Sequence, residues 1–125
     1  MSSDVQVLIV GAGPTGLAAA LFLTPAGVPV RLIDAAEHPT TTSNALAVNP
    51  RTLDLLQPTG VSARVLDHGQ SIRAIRLACE GHQTAVLTPH WDRIAPGRPM
   101  TILPQARTEA LLAEAEQTQA TEPVE

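Results

Sequence analysis

Three glycines, Gly11, Gly13 and Gly16, stand in the spacing G-x-G-x-x-G within VLIVGAGPTGLAAALFL, Val7 to Leu23. The chemistry open to such a stretch is the binding of a nucleotide diphosphate. The first glycine allows a tight turn after a strand, and the second lets the backbone approach a pyrophosphate. The third allows the following helix to pack closely on the sheet. Pro14 and Thr15 sit at the start of that helix, where the missing N–H of proline costs nothing and free N–H groups face an anion. About 20 residues further on, the distance at which an acid meets a ribose diol, the chain carries Asp34.

These residues need a strand before the glycines, a helix after them and a second strand ending at the acid. Val5 to Val10 is apolar apart from Gln6, the pattern of a strand buried on both faces of a parallel sheet. Leu17 to Leu23 continues as a helix that is expected to end near Thr24-Pro25-Ala26-Gly27. Val28 to Ile33 reads as the second strand. The result is a βαβ unit, and with its strand, helix and acid in place the glycine motif becomes specific. The acid also disfavours a 2′-phosphate, because Arg31 lies inside the strand. FAD and NAD are not separated by these forty residues.

Composition narrows the setting. The 125 residues are 44% hydrophobic and 16% charged, within the range of one folded domain. Net charge is −4 and the arginines are scattered, which gives no footprint for nucleic acid. No apolar run approaches the roughly 20 residues of a membrane span. Met1 to Asp4 has no basic start of a secretory signal, so a cytoplasmic location is expected. His38, His68, His82 and His90 lack metal-ligand spacing and read as surface or loop residues, so no metal is expected. Cys79, the single cysteine, reads as a small buried residue of a strand.

The next segments separate the nucleotides. Asn44-Ala45, then Arg51-Thr52-Leu53-Asp54-Leu55-Leu56, then Leu103-Pro104-Gln105 with Thr108-Glu109-Ala110-Leu111-Leu112, follow GAGPTGL in order. This succession resembles the N-terminal part of single-component FAD-dependent aromatic monooxygenases, the para-hydroxybenzoate hydroxylase-like family. The resemblance runs from Met1 to about Ala115. It implies FAD as cofactor, NAD(P)H as co-substrate of the full-length enzyme, and hydroxylation of an aromatic substrate with O2. It also implies that Gln105 contacts the ribityl chain or diphosphate region. Asn44 occupies the position of an arginine along the diphosphate and ribose; it can donate a hydrogen bond but carries no charge. Arg51 matches the R-T-L arginine, with a cofactor-side or a purely structural role.

Read without the family, Asn49-Pro50 opens a helix through Leu56 whose buried side is Leu53, Leu55 and Leu56, stopped by Pro58 and Gly60. Ser71 to Cys79 alternates with a slip at Ala74-Ile75, the pattern of a bulge or of a barely covered strand, turns at Glu80-Gly81-His82 and returns over Gln83 to Leu87. His90-Trp91-Asp92 has no partner in the sequence and is discounted as a site. Arg107-Thr108-Glu109 opens a final helix that packs through Ala110, Leu111, Leu112 and Ala115. The expected fold is α/β: a Rossmann-like βαβ FAD-binding unit with a small β-hairpin insertion, in an incomplete three-layer cofactor domain. Residues 1–116 form the partial FAD-binding domain, with 70–88 starting a substrate-side sheet and 117–125 a polar tail.

No catalytic side chain is expected, since a flavin carries the chemistry. The family's later Asp-Gly and Gly-Asp segments have no counterpart in these 125 residues, so they are expected to be inactive alone. The alternative function is a non-catalytic nucleotide-binding or subunit-interaction module that needs a second chain to complete its sheet. An NAD-dependent dehydrogenase domain ranks last, because it requires more βα units than this length holds.

Overall fold

The computed structural model describes residues 4–42 and 45–121, with the side chains of Ala120 and Thr121 not described. Asn44, the first three residues and the end of the expected tail lie outside the described residues. Strand β1 (Val7–Val10) is followed by helix α1 (Pro14–Leu23) and strand β2 (Val30–Ile33). β1 and β2 pair in parallel with Val7 opposite Val30 and Val10 opposite Ile33. The helix stops at the expected place, with Thr24 as its C-cap donating to the Ala20 carbonyl. This is the βαβ unit, and the chain is a partial Rossmann-like α/β fold.

β1 is covered on one face only. Val7 and Ile9 are half-buried on one side, whereas Leu8 and Val10 face outward and Val10 is 76% exposed. The expectation of burial on both faces therefore does not hold for these residues. A strand in a parallel sheet needs a second layer to cover it, and the described chain supplies one layer, made of helices.

That layer is α1 against α4 (Gln105–Thr121), the final helix, which opens two residues before Arg107 and stays helical beyond residue 117. The core is aliphatic: Leu17 and Leu21 of α1, Val48, Leu53, Leu56, Val61, Val65, Leu103, and Leu111 and Leu112 of α4. Helix α2 (Pro50–Leu55) is capped as expected, since the Asn49 side chain accepts from the Thr52 N–H at 2.8 Å. Leu55 is the correction here: it is 53% exposed. At about 100° per residue it lies nearly opposite Leu53 on the helix.

A 3₁₀ turn over Gln57–Thr59 and left-handed Gly60 lead into helix α3 (Val61–His68), an element absent from the sequence reading. Its Val61 and Val65, four residues apart, are fully buried and supply the signal that locates it. Three two-residue strands, β3 (Ala47–Val48), β4 (Gln70–Ser71) and β7 (Thr101–Ile102), form a second sheet in the order β3-β7-β4, all antiparallel.

The inserted hairpin is β5 (Ile75–Cys79) with β6 (His82–Leu87). Its turn residues Glu80 and Gly81 both have positive φ, 49° and 80°, as a two-residue hairpin turn demands. The irregularity lies between Leu77 and Ala78, where Thr84 is the extra residue on the partner strand, and not at Ala74-Ile75. Cys79 is exposed, not buried, because no layer covers either face of the hairpin among the described residues. Trp91 donates from Nε1 to the Ile72 carbonyl at 2.8 Å, and Asp92 accepts from the Gly97 N–H at 3.0 Å. His90-Trp91-Asp92 thus serves loop structure.

Two buried polar atoms of α4, the Thr108 hydroxyl and the Gln119 side-chain carbonyl, have no hydrogen-bond partner among the described residues. Thr108 is buried as a whole residue. An unmade hydrogen bond leaves its desolvation cost uncompensated. Thr108→Val keeps the shape and removes the hydroxyl; it is expected to raise unfolding stability by about 1 kcal/mol. Urea denaturation of the two proteins, compared at equal m-values, checks this.

Candidate functional site

The site is assembled at the junction of β1, α1 and the end of β2. Gly11 leaves β1 with φ of 109°, a conformation that favours glycine, and its N–H donates to the Ile33 carbonyl at 2.7 Å. The chain then folds over so that α1 begins at Pro14, with Gly13 as N-cap. At Gly16 a β-carbon would lie 1.9 Å from the Gly11 carbonyl oxygen, so helix and turn are in contact through the missing side chain. Gly13 is different. Its φ of −76° and ψ of −177° suit any residue, and a β-carbon there would meet nothing within 4 Å. Nothing within the described chain requires a glycine at 13; the space beside it is what the glycine preserves.

No side chain caps the start of α1. Its first-turn N–H groups, those of Thr15 and Gly16, lack intrahelical acceptors by the geometry of a helix start and carry the positive end of the helix dipole. Thr15 is exposed beside them.

Asp34 ends β2 and faces the glycine turn. One carboxylate oxygen accepts from the Ala12 N–H at 2.6 Å and the other from the Ala36 N–H at 2.7 Å. The two N–H groups, Ala36 foremost and then Ala12, stabilise the ionised form and hold its pKa below the ordinary carboxylate value. Asp34 therefore braces the turn as well as lining the cavity beside it. A carboxylate has about four acceptor sites, so two remain for hydroxyl donors. The backbone donors at Ala12 and Ala36 escaped the sequence reading, because side-chain patterns carry no record of where an N–H points.

A cavity of about 380 Å³ opens beside this junction, lined by Gly13, Leu17, Asp34, His38, Thr40 and Glu109 among others. A second, more apolar cavity of about 300 Å³ lies on the other side of the α1 start, lined by Pro14, Phe22, Asn49, Leu55, Gln105 and Thr108 among others. Gln105 opens α4, its N–H bonded to the Ala45 carbonyl at 3.0 Å. Its side-chain amide donates to Glu109 Oε1 at 2.7 Å. The four-residue spacing of Gln105 and Glu109 is the sequence signal that pairs them.

The structure thus brings Gly11, Gly13, Pro14, Thr15, Gly16 and Asp34 together, with Gln105 across the α1 start. Arg51 lines neither cavity: its side chain is 68% exposed and pairs with Asp54 at 3.0 Å, and Arg98 holds the same carboxylate at 3.2 Å. Asn44 lies outside the described residues, next to the Ala45 that pairs with Gln105. Among the described residues, no group of three or more His, Cys, Asp or Glu side chains is placed to hold a metal, and no helix is long and apolar enough to cross a membrane.

A sequence profile described as FAD binding domain matches residues 4–125. The chain is 40% identical over 110 residues to 6-methylpretetramide 4-monooxygenase of Streptomyces rimosus, an alignment covering 87% of this chain and 20% of that protein. It is 34% identical over 113 residues to pentachlorophenol 4-monooxygenase of Sphingobium chlorophenolicum, covering 89% and 21%. Its fold superposes on the flavin-dependent monooxygenase PieE, solved with FAD and substrate, with a TM-score of 0.78 and 32% identity, covering 92% of this chain and 22% of PieE. The chain spans about a fifth of the length of these relatives. With the glycine turn, the braced acid and the profile match in agreement, the chain belongs to the FAD binding domain family found in flavin-dependent aromatic monooxygenases.

Proposed function

We propose that this chain holds the adenosine and diphosphate end of FAD as the cofactor-binding part of an NAD(P)H-dependent monooxygenase that hydroxylates an aromatic, polyketide-like substrate. The observation that carries the reading is Gly13, a glycine that neither backbone conformation nor packing in this chain demands. It borders an open cavity at a helix start, the arrangement a diphosphate needs for close approach.

Each residue then has a role set by its atoms. The Thr15 and Gly16 N–H groups donate to diphosphate oxygens, and Pro14 gives up no donor by occupying the first helical position. Gly11 and Gly16 hold the turn against the helix. Asp34 accepts from the ribose hydroxyls with the lone pairs left over from Ala12 and Ala36. Gln105 faces the middle of the cofactor, and Asn44, which lies outside the described residues, carries an uncharged donor in this reading. Arg51, engaged with Asp54, is structural in this reading. Bound FAD supplies hydride acceptance from NAD(P)H and activation of O2. The chain's contribution is to bind and orient, in the cytoplasm, where the nicotinamide reductant is available.

A second reading rests on the bare sheet face. Leu8 and Val10 of β1 are exposed apolar side chains, and uncovered strands recruit other strands or layers. In this reading another polypeptide covers that face and the chain works as a subunit. A sedimentation profile that shifts with concentration, or with an added partner, distinguishes it from a lone binding domain.

Titration of FAD into the chain, followed by flavin fluorescence, is expected to saturate at about one FAD per chain. Gly13→Ala is expected to fold like the parent and lose that binding, since its methyl group fills the diphosphate's place without touching protein. Failure of the parent chain to bind FAD overturns the reading.

The Asp34 brace makes a pH prediction. A carboxylate whose folded pKa is lowered contributes its full stabilisation above the unfolded value, near 3.9. That contribution disappears as pH falls through the lowered folded value. The stability difference between the parent and Asp34→Asn is therefore expected to be constant above about pH 5 and to shrink on further acidification. Denaturation midpoints at a series of pH values check this.

A further inference from the structure

Away from the glycine turn, the inserted hairpin places two metal-ligating side chains opposite each other. Cys79 ends β5 and His82 opens β6, and the two are register partners directly across the strands. Only Glu80 and Gly81 lie between them, both with the positive φ of a two-residue hairpin turn. Cross-strand partners project from the same face of a sheet, with β-carbons about 4.5–5.5 Å apart. Both residues are exposed, and neither side chain has a hydrogen-bond or ionic partner among the described residues. His68 is the contrast, since its Nδ1 donates to the Arg64 carbonyl at 2.7 Å.

The rest of that face is apolar. Side chains alternate along a strand, so Ile75 and Leu77 share the Cys79 face of β5. Their register partners on β6 are Leu87 and Ala85. His82 stands three residues before Ala85, a step that in a regular strand turns the two to opposite faces. The extra residue Thr84 corrects the phase and brings the imidazole onto the aliphatic side. As a bare spacing Cys-x-x-His carries little metal signal; the two-residue turn and the bulge make it an opposed pair at the end of an apolar row.

We propose that Cys79 and His82 form a two-ligand site for a soft monovalent metal ion, Cu(I). Thiolate and imidazole are the ligand types that suit copper, and thiolate selects its monovalent form. Zinc centres require three or four protein ligands, and calcium and magnesium require oxygen. Among the described residues, no group of three or more His, Cys, Asp or Glu side chains is available for those ions. Cu(I) accepts linear coordination by two ligands. On binding, the Cys79 thiol releases its proton to solvent and its sulfur bonds the metal, while neutral His82 donates a ring-nitrogen lone pair. The charges of thiolate and Cu(I) cancel. A neutral complex suits a face of aliphatic side chains, where a divalent ion would lose hydration without compensation. The site is independent of the FAD-binding reading.

The test is anaerobic titration of Cu(I) into the reduced full chain, in competition with bathocuproine disulfonate. Parent, Cys79→Ser, His82→Ala and His68→Gln chains are compared. The parent is expected to bind about one Cu(I) per chain and to stay a monomer on gel filtration. Cys79→Ser should abolish binding. His82→Ala should weaken it about a hundredfold, because a second ligand held across the turn acts intramolecularly. His68→Gln should match the parent. Affinity should fall on acidification, since both ligands take up protons. In NMR spectra of the parent, the His82 ring resonances should shift on Cu(I) addition and those of His68 should not. Equal affinity in His82→Ala and parent describes a thiol acting alone and overturns the proposal. Undiminished binding in Cys79→Ser, one ion shared by two chains, or displacement of Cu(I) by an equal concentration of Zn2+ also overturns it. Should His82→Ala unfold the hairpin, the parent spectrum decides: a His82 ring that moves with Cu(I) upholds the site, and one that does not removes it.

Discussion

Helix α1 rests on the turn that precedes it through a side chain that is not there. With a β-carbon at Gly16 placed 1.9 Å from the Gly11 oxygen, no other residue permits the helix to start where it does. The consequences run outward from that contact. The close approach sets where the first turn of α1 stands beside Gly13, and with it the placement of Leu17 and Leu21 in the core. It also fixes where Ala12 stands, and hence which atom Asp34 meets. Packing and binding are thus one constraint at this junction: a shift of the helix that relieved a clash at Gly16 would also move the donors of the site.

Asp34 ties the same turn from the opposite side. Its carboxylate spans the glycine turn and the residue two beyond itself, so β2 and the start of α1 are linked by hydrogen bonds that involve no ladder. Because both bonds come from backbone N–H groups, an amide in place of the carboxylate keeps one at best and sets its own donor against the other. In the FAD-binding reading, ribose recognition and turn geometry draw on this one side chain, placed at the end of β2 where it meets Ala12.

The βαβ unit was legible because three independent signals coincide in forty residues: an apolar strand, glycines of fixed spacing and an acid at the second strand's end. Asn49-Pro50 likewise announces its helix through a cap that needs no tertiary partner. What escaped the reading was set by longer-range contacts. Helix α3 carries its signal in only Val61 and Val65, and Gly60 before it reads as a stop. Leu55 looks like a core residue until the helix phase is anchored by Leu53 and Leu56. Cys79 and the hairpin look buried because apolar residues alternate there, yet the layer that would cover them is not among the described residues. In the candidate site, the glycines and Asp34 were legible as side-chain types. Their backbone partners, and the pairing of Gln105 with Glu109, depend on where α4 lands.

The charge balance of the site constrains how a cofactor is held. Asp34, Glu37 and Glu109 line the larger cavity, and the residues lining it include no lysine or arginine. The resemblance implies an arginine at the position of Asn44. In the FAD-binding reading, a diphosphate here meets no lysine or arginine among the cavity's lining residues and relies chiefly on the N–H groups and dipole of α1. A helix terminus contributes typically 0.3–1 kcal/mol toward a charge, and up to about 2 kcal/mol when partly buried. That is enough to orient a diphosphate and small beside the binding energy of a tightly held dinucleotide. In the FAD-binding reading, acceptance of ligand hydroxyls by groups such as the Asp34 carboxylate must then carry much of the recognition.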